Sequence, residues 1–331
     1  MSISIAMSDD ALRLVADVGG TNARFALLRG ARGLPERQLT LPTAGYAGID
    51  GAIDDYLRQA NATMPLEAAI AIANPVTGDA VKMSNCHWSF STEAIRARLG
   101  LARLLVINDF TALAMSLPVI PPAQLTQVGG AAAVAGSPLA LIGAGTGLGV
   151  SGLIPSHGSW LPLESEGGHV SVCAANQREA DIIAVTRRSH PHVSAERLVS
   201  GMGLQNLYRA IAELERAAPE NLSAAQVTER ALARQDRCCA EALDVFCAVM
   251  GSIAGNLVLT LGARGGVYVG GGIVPRLGDY FARSPFRAVF EAKGRLAPYL
   301  AAVPAYVISE GNPALLGAAM ALGVIPGGPA G

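Results

Sequence analysis

Residues 12–28, LRLVADVGGTNARFALL, decide how this chain is read. Leu12 to Val18 reads as one strand and Arg24 to Leu28 as a second, with a glycine-rich turn between them, which makes a hairpin. Asp17, Gly19, Gly20, Thr21, Asn22 and Arg24 form the first candidate constellation. A Gly-Gly turn offers backbone N–H groups to a phosphate with no Cβ in the way. A carboxylate just before the turn, Asp17, can hold hydrated Mg²⁺ beside the phosphates. Thr21 and Asn22 can donate to phosphate oxygens. A bare Asp-x-Gly-Gly would read as an ordinary tight hairpin; the full run DVGGTNAR carries the phosphate reading.

A second stretch, LALIGAGTGLGVSGLI from Leu139 to Ile154, is a weak internal repeat of the first. Gly143, Gly145, Gly147 and Gly149 alternate around Thr146. The pattern is superficially that of a dinucleotide-binding turn, and Glu164 stands at about the distance where such a motif has its acidic residue. That motif opens a helix, however, whereas Leu148 to Ile154 reads as a strand, so a second phosphate hairpin is the better reading. One hairpin at the start of each half suggests two related α/β domains facing a cleft. Taken alone, the repeat is also compatible with a chance likeness between glycine hairpins.

Glu67 to Ala73 and Leu104 to Ile107 are short apolar runs typical of inner strands. Ser91 to Leu99 is a helix capped by Ser91 or Thr92. Pro118, Pro121 and Pro122 mark the domain boundary. Ala195 to Ala263 is helical, and Val267 to Val269 is a strand followed by Gly270, Gly271 and Gly272. Asn312 caps a last helix with Pro313 in its first turn. That helix packs back on the first domain. The expected organisation is a small α/β domain over 1–119, completed by 311–331, and a large α/β domain over 120–310.

Composition removes several classes. Hydrophobic residues make up 51% of the 331 and charged residues 15%, which excludes disorder. Twenty-five basic against 26 acidic residues leave no electrostatic footprint for nonspecific nucleic-acid binding. The only lysines, Lys82 and Lys293, stand outside any GxxxxGK[ST] context, which excludes a P-loop. The five cysteines (Cys86, Cys173, Cys238, Cys239 and Cys247) have no CxxC spacing, so neither a zinc site nor a disulfide framework is indicated. A reducing cytoplasm fits best. Met1 to Asp10 has no basic residue before its apolar stretch, so no signal peptide is expected. The most apolar window, 131–155, is broken by glycines and Pro138 and reads as strands and turns, so no membrane partner is expected.

Two more segments carry chemistry. A strand ends in Asn108-Asp109, and carboxylates at strand carboxyl ends of α/β sheets point into the cleft. Asp109 could take a proton from a substrate hydroxyl; in isolation, a helix N-cap is the commoner use of such an Asp. In Glu164-Ser-Glu166-Gly-Gly-His169, two glycines let Glu166 and His169 approach one ligand. Metal ligation is the rival, but His87, His157, His190 and His192 do not complete a set. Sugar hydroxyls suit the pair better, since carboxylates accept and imidazole does either. Glu196 by itself is an unremarkable first-turn helix acid.

Together these segments resemble the bacterial glucokinase family, in the sugar-kinase/actin/Hsp70 superfamily. The matching runs are VADVGGTNARFALL, ANPVTGDAVKMSNCHWSFS, VINDFTALAMSLP, GAGTGLGVSGLIP, EGGHVS, SAERLVSGMGLQNLYRAI and GGVYVGGGIVPRL, in the family's order over essentially the whole chain. The resemblance implies two ribonuclease H-like, actin-like ATPase α/β domains closing on a central cleft. It implies that Asp17, Gly19, Gly20, Thr21 and Asn22 form the first phosphate motif, Gly145, Thr146 and Gly147 the second, and Gly270, Gly271 and Gly272 the adenosine motif. Asn108, Glu166, His169 and Glu196 match the sugar-hydroxyl ligands, Asp109 the catalytic base, and Asn85 a further sugar contact. ATP, Mg²⁺ held by Asp17 through water, D-glucose and a homodimer are implied with them. The CxCGxxGCxE zinc motif of the related ROK proteins is absent from the sequence. A kinase for another hexose or an amino sugar, or a sugar sensor without catalysis, are the other readings. A sensor would need neither the base Asp109 nor the metal anchor Asp17.

Overall fold

A computed structural model describes residues 11–309 and 312–324. The expectation for Met1–Asp10 lies outside them, as do residues 310–311 and 325–331. The chain divides into two compact units, Met1–Pro121 with Gly311–Gly331, and Pro122–Glu310. The division falls inside the proline cluster.

The first unit has strands β1 (Leu12–Val18), β2 (Asn22–Arg29), β3 (Glu36–Pro42), β4 (Glu67–Ile72), β5 (Ala80–Lys82), β6 (Ser89–Ser91) and β7 (Arg103–Asn108). Five of them form a sheet in the order β3-β2-β1-β4-β7, while β5 and β6 pair separately. β1 is antiparallel to β2 and parallel to β4, which is parallel to β7. Alternation along β1 assigns its two faces. Leu14, Ala16 and Val18 join the core that holds the helix Ile49–Gln59 and Trp88. Val15, with Ala26, Leu28 and Ala69, packs against Leu315, Ala318, Ala319 and Leu322 of the C-terminal segment. Burial on both faces is why this strand reads as an almost unbroken apolar run. One of its two polar residues, Arg13, is 1% exposed and is held by Glu67 Oε2 at 2.9 Å and Gly30 O at 3.1 Å; the other is Asp17.

Ser91 Oγ accepts from Ala94 N–H and caps the helix Thr92–Leu99, which ends at the left-handed Gly100. The helix Pro313–Ala321 differs from expectation at its start. Asn312 stands at φ −112°, ψ 67°, outside the extended geometry from which a capping side chain reaches back, and makes no side-chain cap. Its Nδ2 donates to Gln38 Oε1 instead, at 3.0 Å. This helix packs on the helix Asp109–Ser116 so closely that a Cβ on Gly317 would lie 1.6 Å from Ala112 O. Gly317→Ala should therefore force the two helices apart and destabilise the first unit by about 1–3 kcal/mol. Calorimetry of the variant checks this, and an unchanged melting temperature would contradict the packing.

The second unit has β8 (Leu125–Gln127), β9 (Leu139–Ala144), β10 (Leu148–Ser156), β11 (Ser159–Pro162), β12 (Val267–Gly270) and β13 (Ala305–Ile308), in the order β11-β10-β9-β12-β13-β8. β9, β10 and β11 repeat the antiparallel meander of β1, β2 and β3, and β12 and β13 repeat the parallel β4 and β7. β8 is an added antiparallel edge. The weak sequence repeat thus corresponds to a full repeat of strand order. Ala195 to Ala263 is helical in pieces: Gly201–Leu214, Ala224–Leu232 and Arg237–Leu261. The last is long and apolar enough to span a membrane by length and composition, yet 67% of its most apolar window is buried inside the unit. Phe246, Met250, Ala254 and Val258 sit in the core, which accounts for the apolarity.

Candidate functional site

In the first unit the turn after β1 is closed by Gly19 N–H to Asn22 O, 2.9 Å, and by Thr43 Oγ1 to Gly20 O, 2.8 Å. Gly19 and Gly20 are partly exposed, and Thr21 and Asn22 are exposed, so the turn's polar groups face outward. A Cβ on Gly20 would lie 2.6 Å from Asn85 O, so the turn and the loop between β5 and β6 can touch only because position 20 is glycine. Asp17 and Arg24 are cross-strand partners in register, joined by Nη1 to Oδ2 at 3.0 Å. Burial raises the Asp17 carboxyl above its ordinary range, and the Arg24 guanidinium offsets part of that.

Asp109 opens the helix that follows β7. The competing use of this residue, capping, is taken by its neighbour. Asn108 Oδ1 accepts from Phe110 N–H at 2.9 Å and Thr111 N–H at 3.2 Å. Asn108 Nδ2 donates to Asn74 O at 3.3 Å and to Asp109 Oδ1 at 3.1 Å. The Asn108 side chain is thus fully engaged within the unit. Asp109 Oδ1 also accepts from Phe110 N–H, at 2.8 Å, while its Oδ2 takes no hydrogen bond from any other described residue. Burial pushes the Asp109 carboxyl up to about 6; Phe110 N–H works against that and the negative Asp17 adds to it. A carboxylate that titrates near neutrality, with one oxygen not engaged by any other described residue, is suited to accept a proton.

In the second unit the turn Gly145-Thr146-Gly147 is closed by Gly145 N–H to Gly147 O, 2.8 Å, with Thr146 exposed. Gly145 O accepts from Gly201 N–H at 2.8 Å, which ties the turn to the N-terminus of the helix Gly201–Leu214, an end suited to anions. Gly270 pairs with Gly143 across the parallel β12 and β9, and Ile273 N–H bonds Ala144 O at 3.2 Å. The unit therefore gathers Gly270, Gly271 and Gly272 beside the second glycine turn. Glu196 is there too. Its Oε2 accepts from Leu148 N–H at 3.0 Å, and a Cβ on Gly147 would stand 2.4 Å from that oxygen. Far from an ordinary first-turn helix acid, Glu196 is clamped to the turn by one oxygen. Glu196 and His169 line one pocket of about 390 Å³, together with His190, His192, Ser194 and Arg197. Glu166 is 3.9 Å from His169 Nε2, and both side chains are more than half exposed. Glu164 is exposed and the strand β10 follows the turn, so the dinucleotide reading fails on topology.

No group of three or more His, Cys, Asp or Glu among the described residues could hold a metal ion. Hydrated Mg²⁺ keeps most of its waters and needs only one or two carboxylates, a demand with which a single carboxylate such as Asp17 is compatible. The sequence reading did not single out Asn74 and Ser84, which bond to the residues around Asn85 and Asn108; nothing in their residue type or spacing signals it.

Two α/β units that share a five-strand order, each with a glycine hairpin, have the architecture of the actin-like sugar kinases. The Glucokinase family model matches residues 14–324. The chain is 55% identical over 307 residues to a Chromobacterium violaceum glucokinase, covering 93% of this chain and 88% of that one. It is 54% identical to an Aromatoleum aromaticum glucokinase, covering 95% and 96%. Among solved structures, a glucokinase from an Antarctic psychrotroph superposes with a TM-score of 0.89 at 35% identity, covering 94% and 98%. The chain belongs to the glucokinase family.

Proposed function

We propose that this glucokinase-family enzyme transfers the γ-phosphoryl group of ATP to the 6-hydroxyl of D-glucose, with Asp109 as general base. The observation that carries the proposal is the Oδ2 of Asp109, which no other described residue engages, on a carboxyl poised near pH 6 just after β7. That oxygen takes the hydroxyl proton as the sugar oxygen attacks phosphorus; the rest is positioning and charge stabilisation. The two glycine turns, with Thr21, Asn22 and Thr146, would donate to phosphate oxygens, and Gly270, Gly271 and Gly272 would receive the adenosine. Asp17 would hold Mg²⁺ through water, and that ion supplies charge neutralisation on the transferring group. Glu166, His169, Glu196 and Asn85 would meet the sugar hydroxyls. Asn108 is a candidate contact as well, but its hydrogen bonds make it first the group that caps the helix and aims Asp109.

The reading includes a cytoplasmic homodimer with no nucleic-acid or membrane partner; five free cysteines support the compartment, and the near-neutral charge supports the lack of a nucleic-acid partner. Initial rates with glucose and MgATP test it. Glucose binding without phosphoryl transfer would make the protein a sensor. Because hydroxyls rather than zinc are the expected ligands of Glu166, His169 and Glu196, chelated and dialysed protein should regain full activity with Mg²⁺ alone. Stoichiometric zinc required for folding would contradict that.

A further inference from the structure

We infer that Asn74 and Ser84 form a relay that turns the Asn85 amide so that its carbonyl oxygen, rather than its NH₂, is presented to the sugar. Asn74 lies just after β4, and Ser84 and Asn85 lie between β5 and β6, all in the first unit. The orientation of Asn74 is fixed by two bonds: its Nδ2 donates to Lys82 O at 3.0 Å, and its Oδ1 accepts from Ser84 N–H at 2.9 Å. That same Oδ1 is 2.8 Å from Ser84 Oγ. A carbonyl oxygen can only accept, so the single hydroxyl proton of Ser84 is spent on Asn74.

Ser84 Oγ also lies within hydrogen-bond distance of the Asn85 side-chain amide, against the atom placed as Oδ1. With its proton already given to Asn74, Ser84 Oγ can only accept there. The Asn85 atom facing it must therefore be the NH₂, since amide oxygen and nitrogen are distinguished by their hydrogen-bond network. Turned in this way, Asn85 directs its Oδ1 outward from an exposed loop whose backbone abuts the phosphate turn at Gly20. Asn85 then accepts a hydrogen bond from a sugar hydroxyl, and Asn74 and Ser84 are positioning residues that act through it. The same Asn74 supplies the backbone carbonyl that receives Asn108 Nδ2, so one residue braces both the Asn85 loop and the strand end bearing Asp109.

The inference rests on the proposed role of Asn85 as a sugar contact, and the experiment separates the two. Steady-state kinetics with glucose and MgATP are measured for Asn85→Ala, Ser84→Ala, Asn74→Ala and the double variant Ser84→Ala/Asn85→Ala. Ser84→Ala removes only the hydroxyl and keeps the backbone bond to Asn74, so the loop stays tethered. Each single variant should raise the glucose KM by about five- to tenfold, the effect of one lost hydrogen bond, with kcat within about threefold. The double variant should be no worse than Asn85→Ala alone, because both substitutions remove one interaction. An unchanged KM for Ser84→Ala beside a raised KM for Asn85→Ala would overturn the relay and leave Asn85 as a ligand. An unchanged KM for Asn85→Ala would overturn both. Additive losses in the double variant, or kcat falling in step with kcat/KM, would reduce Ser84 and Asn74 to loop packing and overturn the relay.

Discussion

Asp109→Asn should lower kcat by ~10²–10⁴ and, at pH 8, make the protein more stable than the parent. The loss follows from removing the proposed base while keeping the acceptor Oδ1 that Phe110 N–H and Asn108 Nδ2 use. The gain follows from linkage. The Asp109 carboxyl titrates at about 6 in the folded protein against an ordinary 3.8, so the folded state holds its proton more tightly than the unfolded chain. Stability from this group is present below pH 4, is lost as pH rises toward 6, and stays lost above. Neutral Asn carries no such loss, and the variant should lead by ~1–3 kcal/mol at pH 8. Thermal unfolding at pH 4 and pH 8 checks the sign: the lead appears at pH 8 and vanishes at pH 4. The parent's kcat/KM should fall as pH drops through about 6. A variant retaining more than about half of the turnover would remove Asp109 from the mechanism, since even a tenfold loss is only ~1.4 kcal/mol.

Glucose should be preferred over its C4 epimer galactose by at least about tenfold in kcat/KM, and by up to ~10⁴. The candidate acceptors explain the range. Glu196 is held through Oε2 by Leu148 N–H and by the close approach of Gly147, so it cannot swing to follow a displaced hydroxyl. A fixed acceptor left without its donor costs ~1–3 kcal/mol, and more when it is charged. Glu166 and His169, both exposed, can adjust, so hydroxyls they meet should be discriminated less strictly. Initial rates against concentration for glucose, mannose, galactose, fructose and N-acetylglucosamine measure this. Equal efficiency on glucose and galactose would refute the hydroxyl-matching argument, and a strong preference for N-acetylglucosamine would reassign the substrate to the amino-sugar class.

Much of the fold was legible because its signals are local. Apolar runs bounded by glycine give β1, β2, β9 and β10, Ser91 caps its helix, and prolines mark the division. Each rests on residues a few positions apart. The short hairpin of β5 and β6 was not legible, since three-residue strands carry almost no alternation. Asn312 does stand at the N-cap position ahead of Pro313, but its side chain does not cap the helix and instead bonds Gln38, far away in sequence.

The site divides along the same line. The residue types that phosphate and sugar chemistry require stand in the sequence by themselves: Asp17 before Gly19 and Gly20, Thr146 between glycines, and Glu166 and His169 around Gly167 and Gly168. Tertiary structure alone decided which of two adjacent residues, Asn108 or Asp109, caps the helix through two N–H groups. It alone decided that burial and the neighbouring Asp17 raise the Asp109 carboxyl, that Glu196 is clamped to Leu148, and that Ser84 orients Asn85. The reason is physical. A glycine turn is set by the conformational freedom of its own backbone, whereas a protonation state or an amide orientation is set by burial and by partners that only folding brings within a few ångströms.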